Sequence, residues 1–274
     1  MSGTSWLGGG APPRKATQLH ASPSADFDAR LAETSALLRQ AAAEGGVTQA
    51  SSLGAEDVVL THLINALALD IPVFVLETGA LHHETLALLE RTQATSRAPV
   101  TVYRPEAEAV IQFIRSNGQD AMYRSIELRK ACCGVRKMAP LARALAGRRG
   151  WITGLRREQS QARADVPLVD TSEVATKGLT KYNPLANWSW GDVWHYIATR
   201  RVDYNPLHDQ FYPSIGCAPC TRAIALGEDF RAGRWWWETE DAKECGLHAK
   251  THSDATSLSA QPATPPVSLI GERA

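Results

Sequence analysis

The chain has no apolar run of about 18 residues or more, the minimum for a bilayer-crossing helix, so no membrane span is expected. It also lacks net charge: 29 Lys and Arg balance 29 Asp and Glu. With an ordinary apolar share of 44%, nothing calls for a nucleic-acid or membrane partner. The first 24 residues contain no acid and no continuous apolar segment. A secretory signal is therefore not expected there, and a transit-type leader is the alternative. No internal repeat is visible. Cysteine is scarce, with five in 274 residues. These absences point to a globular chain in the cytoplasm, where thiols stay reduced. In that compartment clustered cysteines serve metal binding or redox catalysis rather than structural disulfides.

A chain of this length reads as one large domain with appendages. Residues 1–25, rich in Gly, Pro, Ser and Ala, are expected to form a disordered leader. Residues 249–274, rich in Ser, Thr, Ala and Pro, are expected to form a disordered tail, leaving 26–248 as the folded domain. Within it, apolar spacing predicts helices over 26–44, 55–69, 82–92, 106–115 and 135–146. Short apolar runs predict strands over 47–51, 71–76, 100–103 and 151–153. Such alternation implies an α/β fold, a parallel sheet with helices on both faces. Residues 158–180 read as a long polar loop. Ser189 is expected to cap a helix reaching about residue 200, with Trp190, Trp194 and Ile197 packed on its core face.

In a parallel sheet the ligand site lies at the C-terminal strand ends. That places three loops side by side: 51–56, 77–79 and 154–157. They carry hydroxyls, glycines and the pair Arg156 and Arg157, the parts a phosphate site would use, and the helix beginning near Ala55 would offer N–H groups. Net neutrality hides a local excess, ten basic residues against one acid between Arg129 and Arg163. A smaller basic set follows: Arg222, Arg231 and Arg234. Counting alone allows solvated helix faces or an oxyanion cleft for these cations.

The cysteines form the adjacent pair Cys132 and Cys133, the Cys-x-x-Cys pair Cys217 and Cys220, and a fifth, Cys245. Two pairs read either as simply buried cysteines or as the four thiolates of a metal centre, and spacing leaves zinc and an iron–sulfur cluster equally open. Cys245, followed by Gly246 and with His248 nearby, reads either as a spare surface thiol or as a reactive one.

Six motifs in order carry a resemblance: Ser51-Ser52-Leu53-Gly54-Ala55-Glu56-Asp57, Glu77-Thr78-Gly79-Ala80-Leu81-His82, Cys132-Cys133-Gly134-Val135-Arg136-Lys137, Gly154-Leu155-Arg156-Arg157-Glu158-Gln159-Ser160, Cys217-Ala218-Pro219-Cys220 and Glu244-Cys245-Gly246-Leu247-His248. Together they resemble the assimilatory adenylyl-sulfate reductases over about 51–248. The resemblance implies an adenine nucleotide α-hydrolase-like fold. It also implies thioredoxin-dependent reduction of adenosine 5'-phosphosulfate (APS) to sulfite and AMP, in sulfate assimilation and cysteine biosynthesis. By the same resemblance Cys132, Cys133, Cys217 and Cys220 bind a [4Fe–4S] cluster, and Cys245 is the nucleophile, carrying an S-sulfocysteine intermediate.

Substrate contacts are then expected from Ser51, Ser52, Gly54, Leu76, Thr78, Gly79 and Gly154, from the cations Lys137, Arg163, Arg231 and Arg234, and from His248. The partners implied are APS and a thioredoxin or glutaredoxin-like reductant. Homo-oligomers occur in the family, although no interface signature is visible. Family members often have Asp and Arg where this chain has Glu77 and Ala80. The rival readings are a 3'-phosphoadenylyl-sulfate reductase, an adenylating ligase, whose Ser-Gly-Gly-x-Asp-Ser loop is not what residues 51–57 spell, and a metal-bound nucleotide-binding module.

Overall fold

The structure, a computed structural model, describes residues 14–239. Helix α1 (Ala16–His20) precedes α2 (Phe27–Glu44), and then the alternation begins. It runs β1 (Val47–Ser51), α3 (Ala55–Ala66), β2 (Val73–Leu76), α4 (His83–Thr95), β3 (Val100–Tyr103) and α5 (Ala107–Asn117). Next come α6 (Ile126–Cys133) and α7 (Ala139–Leu145), joined by a π-turn at Gly134–Met138. Strand β4 (Gly150–Ile152), β5 (Val169–Asp170), α8 (Val174–Lys177), β6 (Thr180–Tyr182) and α9 (Trp190–Arg200) complete the order. No helix among the described residues is long and apolar enough to cross a membrane.

The sheet runs β3-β2-β1-β4-β6-β5, with every pairing parallel except β5 with β6. Side chains alternate across it, as the two-residue strand period requires. Val73 and Val75 of β2 face one core with Leu38, Val59, Ile64, Trp194 and Ile197 of α2, α3 and α9. Phe74 between them faces the other core, with Trp151 and with Leu141 and Ala144 of α7. Helices thus cover both faces. The chain leaves β1 toward β2 and β3, then crosses back to β4 on β1's other side. That switch opens a crevice at the C-terminal ends of β1 and β4.

Four expectations change. The helix predicted over 135–146 begins earlier, so Cys132 and Cys133 lie on its first segment, just before the π-turn. Pro140 cannot donate to the preceding turn, and the locally widened turn takes up that break. The polar stretch 158–180 holds β5, α8 and the start of β6; strands of two or three residues are too short for a periodic signal. Helix α3 stops at Ala66, where Ala68 turns left-handed with φ 51°.

The expected leader, 1–25, is structured in its described part. Ala16 is fully buried, and the amide of Ser24 donates to the Asp192 carboxylate at 2.7 Å. Gly191 permits this: a Cβ there would meet the Ser22 carbonyl oxygen at 2.0 Å. Asp192 also accepts from the amide of Ser189, whose hydroxyl accepts from Asp192 N–H. This is the capping box that starts α9.

Candidate active site

A cavity of about 200 Å³ opens at the C-terminal ends of β1, β2 and β4, and its wall includes Ser51, Ser52, Gly54, Leu76, Thr78 and Gly154. Lys137, Arg163, Arg231 and Arg234 reach the same cavity from three different parts of the chain. All three arginines are buried, so their charge is directed inward rather than into solvent. Desolvated guanidinium groups around one pocket form a site for an oxyanion.

The turn after β1 is tightly held. Leu53 adopts φ 61°, a left-handed conformation uncommon for a non-glycine residue. Asp57 fixes the turn by accepting from the Ser52 amide at 2.6 Å and the Ser52 hydroxyl at 2.7 Å. Burial pushes the Asp57 carboxyl up to about 6, against the pull of these hydrogen bonds. Glu56 beside it is also buried; its carboxyl is held below the ordinary range by Arg156 and Gln159, which outweigh desolvation. The first turn of α3 thus carries two carboxylates, while its N-cap Gly54 has no side-chain capping bond and lines the cavity.

The two arginines expected in the third loop are not pocket cations. Arg156 is fully buried and donates through Nε to Glu56 at 2.9 Å, with its guanidinium over the rings of Trp190 and Phe230. Arg157 donates instead to the Val166 carbonyl and to Asn187. Gly79, with φ +70°, lines a second cavity rather than the first; a Cβ on it would meet Arg136 Nη1 at 3.1 Å. Cys245 and His248 lie outside the described residues.

That second cavity, about 270 Å³, is lined by Cys132, Cys133, Cys217 and Cys220. None of these four thiols is in a disulfide. Three of them share an apolar nest with Met122 and Trp235. Burial pushes Cys220 up to about 11 and raises Cys132, with neighbouring thiols adding to the effect. No group of three or more His, Cys, Asp or Glu among the described residues is arranged to hold a single metal ion. The cavity that all four thiols help to line has many times the roughly 10–15 Å³ that one water requires. Four thiols are the donor set that soft, thiolate-bound metal groups use, an iron–sulfur cluster among them.

The two cavities share a wall. Lys137 lines both, and the Thr78 hydroxyl lies 3.2 Å from the Cys217 sulfur. Arg136 ties the same loop down by donating to the Thr78 carbonyl at 2.7 Å. Sequence reasoning gave Asp57, Gln159 and Trp235 no role, yet all three line the first cavity. Asp57 and Gln159 stood inside quoted motifs. Their signal was a polar residue just after a strand-end turn, which spacing alone does not separate from an ordinary helix start.

A family model described as phosphoadenosine phosphosulfate reductase domain matches residues 46–223. The chain is 53% identical over 201 residues to adenosine 5'-phosphosulfate reductase of Allochromatium vinosum, covering 73% of this chain and 78% of that one. To the Burkholderia cepacia protein of the same name it is 50% identical, over 74% of this chain and 80% of the relative. Among solved structures it is similar to phosphoadenylyl-sulfate reductase from Candida auris in a phosphate complex. That match has a TM-score of 0.58 and 26% identity, covering 72% of this chain and 97% of that one. The mostly parallel six-stranded sheet is accordingly of the adenine nucleotide α-hydrolase-like type. The chain belongs to the phosphoadenosine phosphosulfate reductase family of sulfur-acting oxidoreductases, alongside relatives named adenosine 5'-phosphosulfate reductase.

Proposed function

We propose that the protein reduces APS to sulfite and AMP, with a thioredoxin-like dithiol as reductant and Cys245 as nucleophile. The observation that carries this reading is the convergence of Lys137, Arg163, Arg231 and Arg234 on a strand-end pocket that shares a wall with four clustered thiols. The names of the relatives support APS over the 3'-phosphorylated substrate.

In this mechanism the Cys245 thiolate attacks the sulfate sulfur. An S–S bond forms, the S–O bond to phosphate breaks, and AMP departs with that oxygen, leaving an S-sulfonate on Cys245. A thiolate of the reductant then attacks the Cys245 sulfur, and sulfite leaves with the bonding pair. The reductant's second thiol resolves the mixed disulfide, so one dithiol supplies both electrons. A thiolate nearing a polyanion is repelled: like charges 4 Å apart cost about 4 kcal/mol at an effective dielectric near 20. The four pocket cations offset that repulsion and the charge gathering on the departing oxygen.

Cys132, Cys133, Cys217 and Cys220 would hold a [4Fe–4S] cluster, whose bound charge would act on the pocket electrostatically. Lys137 lies between the two cavities and would stand next to both cluster and substrate. A cytoplasmic enzyme of sulfate assimilation follows from the same proposal.

The test is sulfite release from APS and, in parallel, from its 3'-phosphorylated counterpart, by anaerobically purified wild type and Cys245→Ser. Wild type is expected to prefer APS and to be brown, with iron and sulfide in the protein. The variant should release no sulfite yet keep its metal and bind nucleotide. Turnover by Cys245→Ser would remove the assigned nucleophile, and zinc without iron would overturn the cofactor.

A further inference from the structure

Gln159 sits behind the pocket cations with both ends of its amide in use. Its Nε2 donates to Glu56 Oε1 at 3.0 Å and to the Gly154 carbonyl at 3.2 Å. Its Oε1 accepts from the Arg156 amide at 3.1 Å and from Arg163 Nη1 at 2.6 Å. A flipped amide would aim its nitrogen at Arg163 and its oxygen at the Glu56 carboxylate. Both contacts would be repulsive, so the orientation is fixed. Glu56 is itself anchored: Arg156 Nε donates to the same oxygen at 2.9 Å, and the Arg156 guanidinium packs against the Trp190 and Phe230 rings. A chain of polar contacts thus runs from the core, through Glu56 and Gln159, to a guanidinium on the pocket wall.

We propose that Gln159 is a positioning residue that aims Arg163 at the anionic end of the substrate, passing the pull of the buried Glu56 carboxylate through a neutral amide. The inference rests on reading this pocket as the phosphosulfate site. An amide suits the task better than a carboxylate would. It accepts from Arg163 without cancelling the guanidinium charge at that contact, and it places no second negative charge against Glu56. With donor and acceptor capacity spent within the protein, Gln159 acts through Arg163 rather than on the ligand.

A double-mutant cycle tests this, using Gln159→Met, which keeps length and loses the hydrogen bonds, together with Arg163→Ala. The probe is ADP, whose terminal phosphate stands in for the sulfate group, measured by calorimetry alongside the KM for APS. Gln159→Met is expected to weaken ADP binding and raise KM about tenfold, with a fall in kcat no larger than that of Arg163→Ala, as loss of a charge-assisted hydrogen bond that acts only through Arg163 predicts. In the Arg163→Ala background the same change should cost less than about twofold, because the residue it positions is gone. A tenfold loss in both backgrounds, or wild-type binding by Gln159→Met, would overturn the proposal. Should thermal unfolding show that Gln159→Met does not fold, Gln159→Asn runs the same cycle; it keeps the amide but is one methylene too short to span Glu56 and Arg163. ADP binding needs no turnover, so wild type that binds ADP but leaves APS unreduced would sink the functional reading while this test still stands.

Discussion

Replacing Asp57 by asparagine separates two effects that coincide in the wild type, and pH tells them apart. Burial raises the Asp57 carboxyl from the ordinary 3.8 to about 6. At about 1.4 kcal/mol per unit, the folded state then bears about 3 kcal/mol for holding this group ionised above pH 6. The sign follows from proton binding: the folded chain holds the proton more tightly than the unfolded one. The group's relative contribution is therefore most favourable below about pH 4 and is lost as pH rises from about 4 to about 6. The side chain of the Asp57→Asn variant cannot titrate. The variant's stability relative to wild type should climb by about 2 kcal/mol between about pH 4.5 and about pH 7.5. A second effect does not depend on pH. Asp57 accepts from both Ser52 and the Gly154 amide, and an asparagine side chain can keep only one of those ends as an acceptor. The opposed N–H groups should cost about 1–2 kcal/mol at every pH. Anaerobic urea unfolding of both proteins across this range gives the difference directly and cancels the titration of all other carboxylates. A flat difference would refute the claim that Asp57 is buried as a strained carboxylate.

Two further outcomes follow from buried contacts. Glu238 and Arg129 form an ion pair at 2.7 Å with 3% and 1% of their side chains exposed, and the guanidinium also lies over Trp235. Glu238→Ala should destabilise by about 3 kcal/mol or more, read as a lowered unfolding midpoint, because it leaves a buried cation without its carboxylate. A Cβ at Gly154 would stand 2.5 Å from Asp57 Oδ1 and 2.8 Å from Glu56 Cβ, two buried groups with little room to yield. Gly154→Ala should lower the unfolding temperature by an amount equivalent to about 1–3 kcal/mol and raise the KM for APS, whereas an unchanged KM would show that this loop is not part of the substrate wall.

The sequence alone determined the order of the strands β1 to β4 and of the longer helices among them, because apolar spacing is a local property. From that order came the parallel sheet, its right-handed crossovers and the strand ends where a ligand would lie. The pairing of cysteines was equally legible, and both pairs line one cavity. Very short elements such as β5 and β6 were not legible, since two or three residues carry no period. Nor was the docking of residues 14–25, which depends on a missing side chain at Gly191 far along the chain.

The arginines show where tertiary structure decides. Arg156, Arg157 and Arg163 lie within eight residues of sequence and are chemically identical. Arg156 is taken by Glu56, a hundred residues away; Arg157 turns to Asn187; Arg163 is held at the pocket by Gln159. A side chain's charge is written in the sequence. Whether that charge is spent in the core or offered to a ligand is set by which partner the fold brings within hydrogen-bond reach.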